Sequence, residues 1–393
     1  MAQADVYPSE SYSRDLESLY AVLSRAGIYI RESRTYMSSK GNVIIDFIID
    51  KPCDDTLFEK VYRELSKRKF IVFQFVTAEG PVLRVTRYEE KSDLLKKMIL
   101  LGLTLVTVWL TGYWLTLGFV ELKRVLGYST ALEDPFIWGL IYTLAFLGVL
   151  AMHEYGHIIV SKRYAVPIAG PYFIPAPPAQ LGFIGTLGSV ISMKNLPPSR
   201  RSLILLGLSG PIAGFIGAIV ISWIGITLSI TMPVDKAMQL FEEGEITAFP
   251  YMPLIMVLMM LFTSVKEGYV LVLHPLAFAG FIVFIVTFLN LMPIGQLDGG
   301  HVIRGFSSPK THELAGYIVI MLLIIAGILT FNIGGYAYLF MAGILLVLKI
   351  VVGSKPHPGP ANMLSNISKK DYALLLLYVL LVVLTLPLPI AGW

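Results

Sequence analysis

Apolar and polar positions follow two different rhythms along this chain. Over the first ninety or so residues the periods are short. Ser13 to Arg25 sets Leu16, Leu19, Tyr20 and Leu23 on one helical face, and Gly27 stops the pattern. Asn42 to Ile49 is strand-like, Asp55 to Lys67 again helical, and Phe70–Thr77 with Val82–Tyr88 predict a hairpin around Glu79-Gly80-Pro81. Residues 1–92 therefore predict a small soluble α/β domain. They carry no catalytic constellation, so its expected role is regulation or substrate docking.

Beyond residue 95 the apolar blocks lengthen to what a bilayer-spanning helix needs, about 20 residues. Seven stretches qualify: 98–118, 137–161, 202–231, 275–295, 313–332, 335–352 and 371–390. Met252 to Phe262 is too short to span and predicts an interfacial or re-entrant helix. The expected fold is a multi-pass α-helical membrane protein of about seven spans with a small N-terminal soluble α/β domain. Its core covers 95–352, and 353–393 adds a cytoplasmic loop and a C-terminal span.

Charge sets a topology. Lys91, Lys96 and Lys97 precede the first span, and Lys162 and Arg163 follow the second. Lys194, Arg200 and Arg201 precede the third, Arg304 and Lys310 separate the fourth from the fifth, and Lys355, Lys369 and Lys370 precede the last. All are cytoplasmic if the N-terminus is inside a cell membrane, as basic loops prefer. The opposite loop, Pro233 to Pro250, holds Asp235, Glu242, Glu243 and Glu245 against Lys236 alone. Lys123 and Arg124 dissent, beside acidic neighbours. No basic region followed by an apolar core opens the chain, so no cleavable signal peptide is expected.

Composition agrees: 55% of residues are hydrophobic and 15% charged, where a soluble domain carries about 25%. The net charge of +4 gives no warrant for nucleic-acid binding. The lone Cys53 cannot close an internal disulfide.

The chemistry sits at the ends of two spans. The second ends in His153-Glu154-Tyr155-Gly156-His157, an H-E-x-x-H pattern. Histidines four apart share one helix face, where neutral imidazoles can hold one Zn²⁺, and Glu154 is within reach of its water as general base. Ionisable residues in an apolar span cost about 2.5–3.5 kcal/mol each and need a partner. A catalytic zinc has three protein ligands and a water. Asp298, the only acidic residue between Glu267 and Glu313, closes the fourth span just after Pro293 and Gly295 interrupt it. Broken helices at membrane depth are tolerated where they line a cavity.

H-E-x-x-H in one span and Asn290-x-x-Pro293-x-x-x-Leu297-Asp298-Gly299 in a later one resembles the site-2 protease family of intramembrane zinc metalloproteases. Gly185-Thr186-Leu187-Gly188, Ser209-Gly210-Pro211 and His274-Pro275 look like its archaeal and chloroplast branch. The resemblance implies one catalytic zinc on His153, His157 and Asp298, Glu154 as the base that activates water, and Asn290 in the active site. It also implies substrates that are transmembrane proteins, cut in or beside their spans; the lipid bilayer is the other partner.

Two segments fit that reading. Residues 168–193 are too rich in Pro and Gly to span, and Gly182 to Ile191 predicts a strand dipping toward the site, able to hold an extended substrate. Gly210, Gly214 and Gly217-Ala218 give the third span a small-residue face for close packing. His274 is expected to be structural, His301 beside the Asp298 turn to contact either the site or the headgroups, and none of His274, His301, His312 and His357 is expected to be a ligand. Two rivals are a transporter, for which no internal repeat is visible, and a prenyl-protein-processing protease with Glu313 as third ligand.

Overall fold

The computed structural model describes residues 10–38, 42–88, 93–131, 133–351 and 357–389, and is 59% helical. Lys91 and Lys355, two of the expected cytoplasmic cations, lie outside the described residues. The N-terminal elements are α1 (Glu10–Arg25), β1 (Ile30–Met37), β2 (Val43–Ile49), α2 (Asp55–Lys67), β3 (Phe70–Thr77) and β4 (Gly80–Arg87). There follow α3 (Leu94–Val125), α4 (Pro135–Arg163), the strands β5 (Ile168–Pro175) and β6 (Thr186–Met193), and α5 (Arg200–Leu228). Next come β7 (Ile230–Pro233), α6 (Val234–Glu242), β8 (Tyr251–Pro253), α7 (Leu254–Met260), β9 (Tyr269–Val272) and α8 (Pro275–Asn290). The chain ends with α9 (Asp298–Phe306), α10 (Pro309–Leu329), α11 (Tyr336–Val351), α12 (Tyr372–Thr385) and β10 (Pro387–Pro389).

The N-terminal strands form one antiparallel sheet in the order β1-β2-β4-β3, with α1 and α2 burying Leu19, Leu23, Phe58 and Tyr62 against Phe47 and Leu83. Periodicity missed β1 because it is an edge strand, with Arg31, Glu32 and Ser33 exposed. The other edge, β3, is extended by the segment after α11. Gln74 N donates to Ala361 O (2.9 Å), Met363 N to Gln74 O (3.0 Å), and Gln74 Nε2 to Asn362 Oδ1 (2.8 Å). Asn362 in turn donates to Asp55 Oδ1 at 2.8 Å.

Among the described residues four helices, α3, α4, α5 and α10, are long and apolar enough to cross a membrane. The remaining expected spans are shorter: α8 and α11 have 16 residues each and α12 has 14. α8 stops at Asn290 because Pro293 offers no N–H, and the chain turns through Gly295 (φ +51°) before α9 begins. α12 gives way to β10, which pairs with β8. The short apolar run near Met252 is β8 followed by the seven-residue α7.

α5 is the innermost of the long helices: 61% of its apolar window is buried, against 22–39% for the others. Glycines let neighbours approach it. A Cβ on Gly156 of α4 would overlap the Ser209 carbonyl, one on Gly210 would enter the His157 ring, and one on Gly214 would stand 3.2 Å from His153. The small-residue face expected of this span is thus its contact with α4.

Gly210→Ala overpacks that contact and is expected to cost about 1–3 kcal/mol. Its melting temperature should fall, while Gly148→Ala, with open space at its Cβ, should melt like the parent in the same detergent. Asn362→Ala leaves Gln74, which is fully buried, and Asp55 short of partners, a loss of about 1–3 kcal/mol. Limited proteolysis should then cut the segment following residue 357 faster than in the parent protein.

Candidate metal centre

Asp134 caps α4, accepting from the Phe136 and Ile137 amides, and Pro135 starts the helix. The helix then runs unbroken to Arg163 and carries His153 and His157 one turn apart. His157 is buried, and its Nδ1 lies 2.9 Å from the Leu206 carbonyl of α5. A carbonyl only accepts, so Nδ1 carries the proton and the Nε2 lone pair is free. That Nε2 is 3.1 Å from His153 Nε2.

Asp298 opens α9 directly opposite. Its Oδ2 is 3.2 Å from His153 Nε2 and its Oδ1 is 3.3 Å from His157 Nε2. The turn that delivers it is tightly held: a Cβ on Gly299 would overlap the Leu291 carbonyl, which also accepts from Tyr378 Oη at 2.7 Å. Among the described residues, these three form the group of His, Cys, Asp or Glu side chains able to share a metal ion. Donors about 2.0–2.2 Å from a tetrahedral ion stand about 3.3 Å from one another, so two imidazoles and a carboxylate at 3.1–3.3 Å fit a zinc with a fourth position open.

Glu154 is buried beside the group. Ser189 Oγ of β6 donates to its Oε1 at 2.8 Å, and its Oε2 has no partner among the described residues. A cavity of about 150 Å³ joins these atoms to Ser189, Val190 and Ile191 of β6, to Asn290 at the end of α8, and to Gln296 and His301. The structure thus brings His153, Glu154, His157, Asp298 and Asn290 to one cavity. The strand expected over Gly182 to Ile191 also reaches it, four residues later than its predicted start, because Gly182 (φ +79°) and Gly185 (φ +83°) are turns.

Sequence reasoning missed Ser189, since its bond to Glu154 joins residues 35 apart and no local pattern marks it. It also missed the convergence of His301, His312 and His357. Glu313 is exposed and outside the group. His274 is structural: it caps α8 and sits edge-on to Phe119 and Trp138. Burial pushes the Cys53 thiol up to about 11, aided by the Asp54 charge, so it is no nucleophile at neutral pH. A larger cavity, about 650 Å³ between α3, α6 and α8, is lined mainly by apolar side chains, with Glu242 as the only ionisable lining residue among the described residues.

A family model, Peptidase family M50, matches residues 141–329. The probable zinc metalloprotease EGY1, chloroplastic, of Arabidopsis thaliana is 26% identical over 249 residues, 61% of this chain and 41% of that protein. The probable zinc metalloprotease EGY2, chloroplastic, of Oryza sativa subsp. japonica is 26% identical over 257 residues, 64% of this chain and 43% of that protein. The zinc metalloprotease MJ0392 of Methanocaldococcus jannaschii is 25% identical over 217 residues, 53% and 48% of the two chains. This chain thus spans less than half the length of these relatives. No solved structure matches it. The matched segment contains both halves of the metal centre, and over it this chain is similar to Peptidase family M50 and to zinc metalloproteases of chloroplasts and an archaeon.

Proposed function

We propose that this chain is an intramembrane protease, hydrolysing peptide bonds in or beside the transmembrane segments of other membrane proteins. The observation that carries the reading is the convergence of His153, His157 and Asp298 from two helices, with Glu154 beside them, at the inner ends of apolar helices. These three hold the zinc. When bound, the ion lowers the pKa of a coordinated water toward about 7 and polarises a carbonyl.

The chain's own residues do the rest. The Glu154 carboxylate takes a proton from the attacking water as its oxygen bonds to the scissile carbonyl carbon. It then passes that proton to the amide nitrogen as the C–N bond breaks, leaving a carboxylate and an amine. Ser189 holds one oxygen of Glu154 and leaves the other free for this exchange. The outer edge of β6 pairs an unwound substrate strand, and Asn290 holds substrate main chain from the opposite wall of the cavity.

Seven crossings are the accompanying topology. At 1.5 Å per residue α8 rises about 24 Å, which its unwound continuation to Asp298 extends. The N-terminal domain, docked beside the metal-bearing helix ends, then faces the cytoplasm of a cell membrane and regulates or docks substrate.

Glu154→Gln should abolish cleavage of a transmembrane substrate while zinc content, measured by elemental analysis, stays at the parent level. Near-parent turnover would remove Glu154 from the role of base. Asp298→Ala should lose zinc; full zinc in that variant, with loss in Glu313→Ala, would transfer the third ligand to Glu313.

A spanning helix satisfies all its backbone groups, and each one opened in hydrocarbon costs several kcal/mol. Substrate segments carrying Gly, Pro or Asn near the cut should therefore be cleaved much faster than the same segments with Leu there. Equal rates for an unbroken poly-Leu segment would show that unwinding does not select substrates.

A further inference from the structure

Beyond the metal centre, three histidines that no role above uses meet at its back wall. His301 lies one turn after Asp298 on α9, His357 lies on the segment following α11, and His312 opens α10. All three are buried. His301 Nδ1 is 2.7 Å from His357 Nε2, and the two rings meet edge to face at 4.8 Å. The His312 ring stands 5.7 Å from that of His357.

The hydrogen bonds fix the tautomers of the neutral rings. The Gly359 amide donates to His357 Nδ1 at 3.0 Å, so that nitrogen carries a lone pair. A neutral His357 then has its proton on Nε2 and donates it to His301 Nδ1. His301 accepts there, and its own proton sits on Nε2. Among the described residues no acceptor is paired with that N–H, and His301 lines the cavity of Glu154 and the three metal-binding side chains. A neutral imidazole N–H beside the scissile bond is a donor for a carbonyl oxygen gaining charge.

The surroundings hold this arrangement rigid. A Cβ on Gly207 of α5 would meet His301 Cβ at 2.9 Å, so α5 backs the ring directly. Arg304 Nε donates to the His357 carbonyl at 3.0 Å, and Nη2 to that of Pro358 at 3.3 Å. Three residues further on, Ala361 and Asn362 donate to the carbonyls of Pro197 and Pro198 and are joined to Gln74 of β3. His357 is thus held from both the membrane core and the N-terminal sheet.

We propose that His301 is a further catalytic residue, its Nε2–H donating to the substrate carbonyl oxygen as the tetrahedral centre forms, with His357 as the positioning residue that sets its tautomer. The assignment rests on the peptidase reading above. The donor strengthens its bond as charge develops on the oxygen, so it acts on kcat more than on KM.

The test uses the full chain in detergent micelles with a fluorogenic transmembrane peptide that the parent cleaves. His301→Ala should lower kcat about 100-fold with KM little changed and zinc fully retained. His301→Gln, whose side-chain amide reaches the place of Nε2, should recover most of the rate. His357→Ala should lower kcat in part, and His357→Gln, which still donates to His301 Nδ1, should restore it. Independently of activity and metal, ¹⁵N-histidine spectra of chelator-treated parent protein should show His301 as the Nε2–H tautomer, assigned by its absence in His301→Gln. Parent-like kcat in His301→Ala overturns the proposal. So does loss of zinc in that variant, which would make the ring a prop for α9, or an Nδ1–H tautomer in the spectra. Failure of the peptidase reading looks different: the parent itself would bind no zinc, or Glu154→Gln would keep its turnover, with the tautomer result unaffected.

Discussion

The bond from His157 Nδ1–H to the Leu206 carbonyl joins the two most buried long helices at the point where the polar cluster must survive among apolar side chains. It orients one imidazole, fixes its tautomer and leaves a lone pair directed at His153 and Asp298. It forms only because α4 and α5 run close, and they run close because Gly156, Gly210 and Gly214 present no side chain at the contact. The polar residues of this bundle are affordable in hydrocarbon only as a set. Remove the close approach and each ring would need another partner in a place that offers none.

The same logic explains why the fourth expected span is broken. Asp298 has to reach the two imidazoles from a helix start, so the chain must leave helical geometry above it. Pro293 and Gly295 achieve this, and Gly299 and Gly300 let the turn fold back on Leu291 and Gly295. The freed Leu291 carbonyl is taken by Tyr378 of α12. Irregular backbone here is buried against protein, the condition under which a membrane protein tolerates it.

Much of this was legible in the residues. The H-E-x-x-H spacing needs only a helix to set two histidines on one face, and the acidic residue after a broken span marked itself by its isolation. The long helices followed from apolar length. What stayed hidden depended on pairing across distance. Ser189 meets Glu154 through a hairpin whose start was shifted by two glycine turns. His357 meets His301 across 56 residues, and Asn362 meets Gln74 across 288. Apolar windows also count side chains and not hydrogen bonds. The stretches 275–295 and 371–390 therefore read as full spans where the backbone ends its helices early, at Asn290 and Thr385.

Under the proposed activity, a helical substrate would bring its scissile peptide fully bonded, and an unwound one would bring several unpaired donors and acceptors into an apolar place. Something in the protein must receive them in the order in which they are freed. Among the described residues β6 pairs with β5 alone, so its second edge keeps its amides and carbonyls available. That strand is pinned at the same time by Thr186, whose hydroxyl donates to Ile174 O at 2.7 Å, and by Ser189 on Glu154. The strand that would receive the unwound backbone is thereby fixed to the carboxylate that would attack it through water. Under the proposed activity, unwinding and proton transfer would share one rigid reference, and a substrate pairing out of register on β6 would present the wrong bond to Glu154. Specificity for the cut would arise from strand register as much as from side-chain fit, because a slip of one residue turns every side chain to the other face.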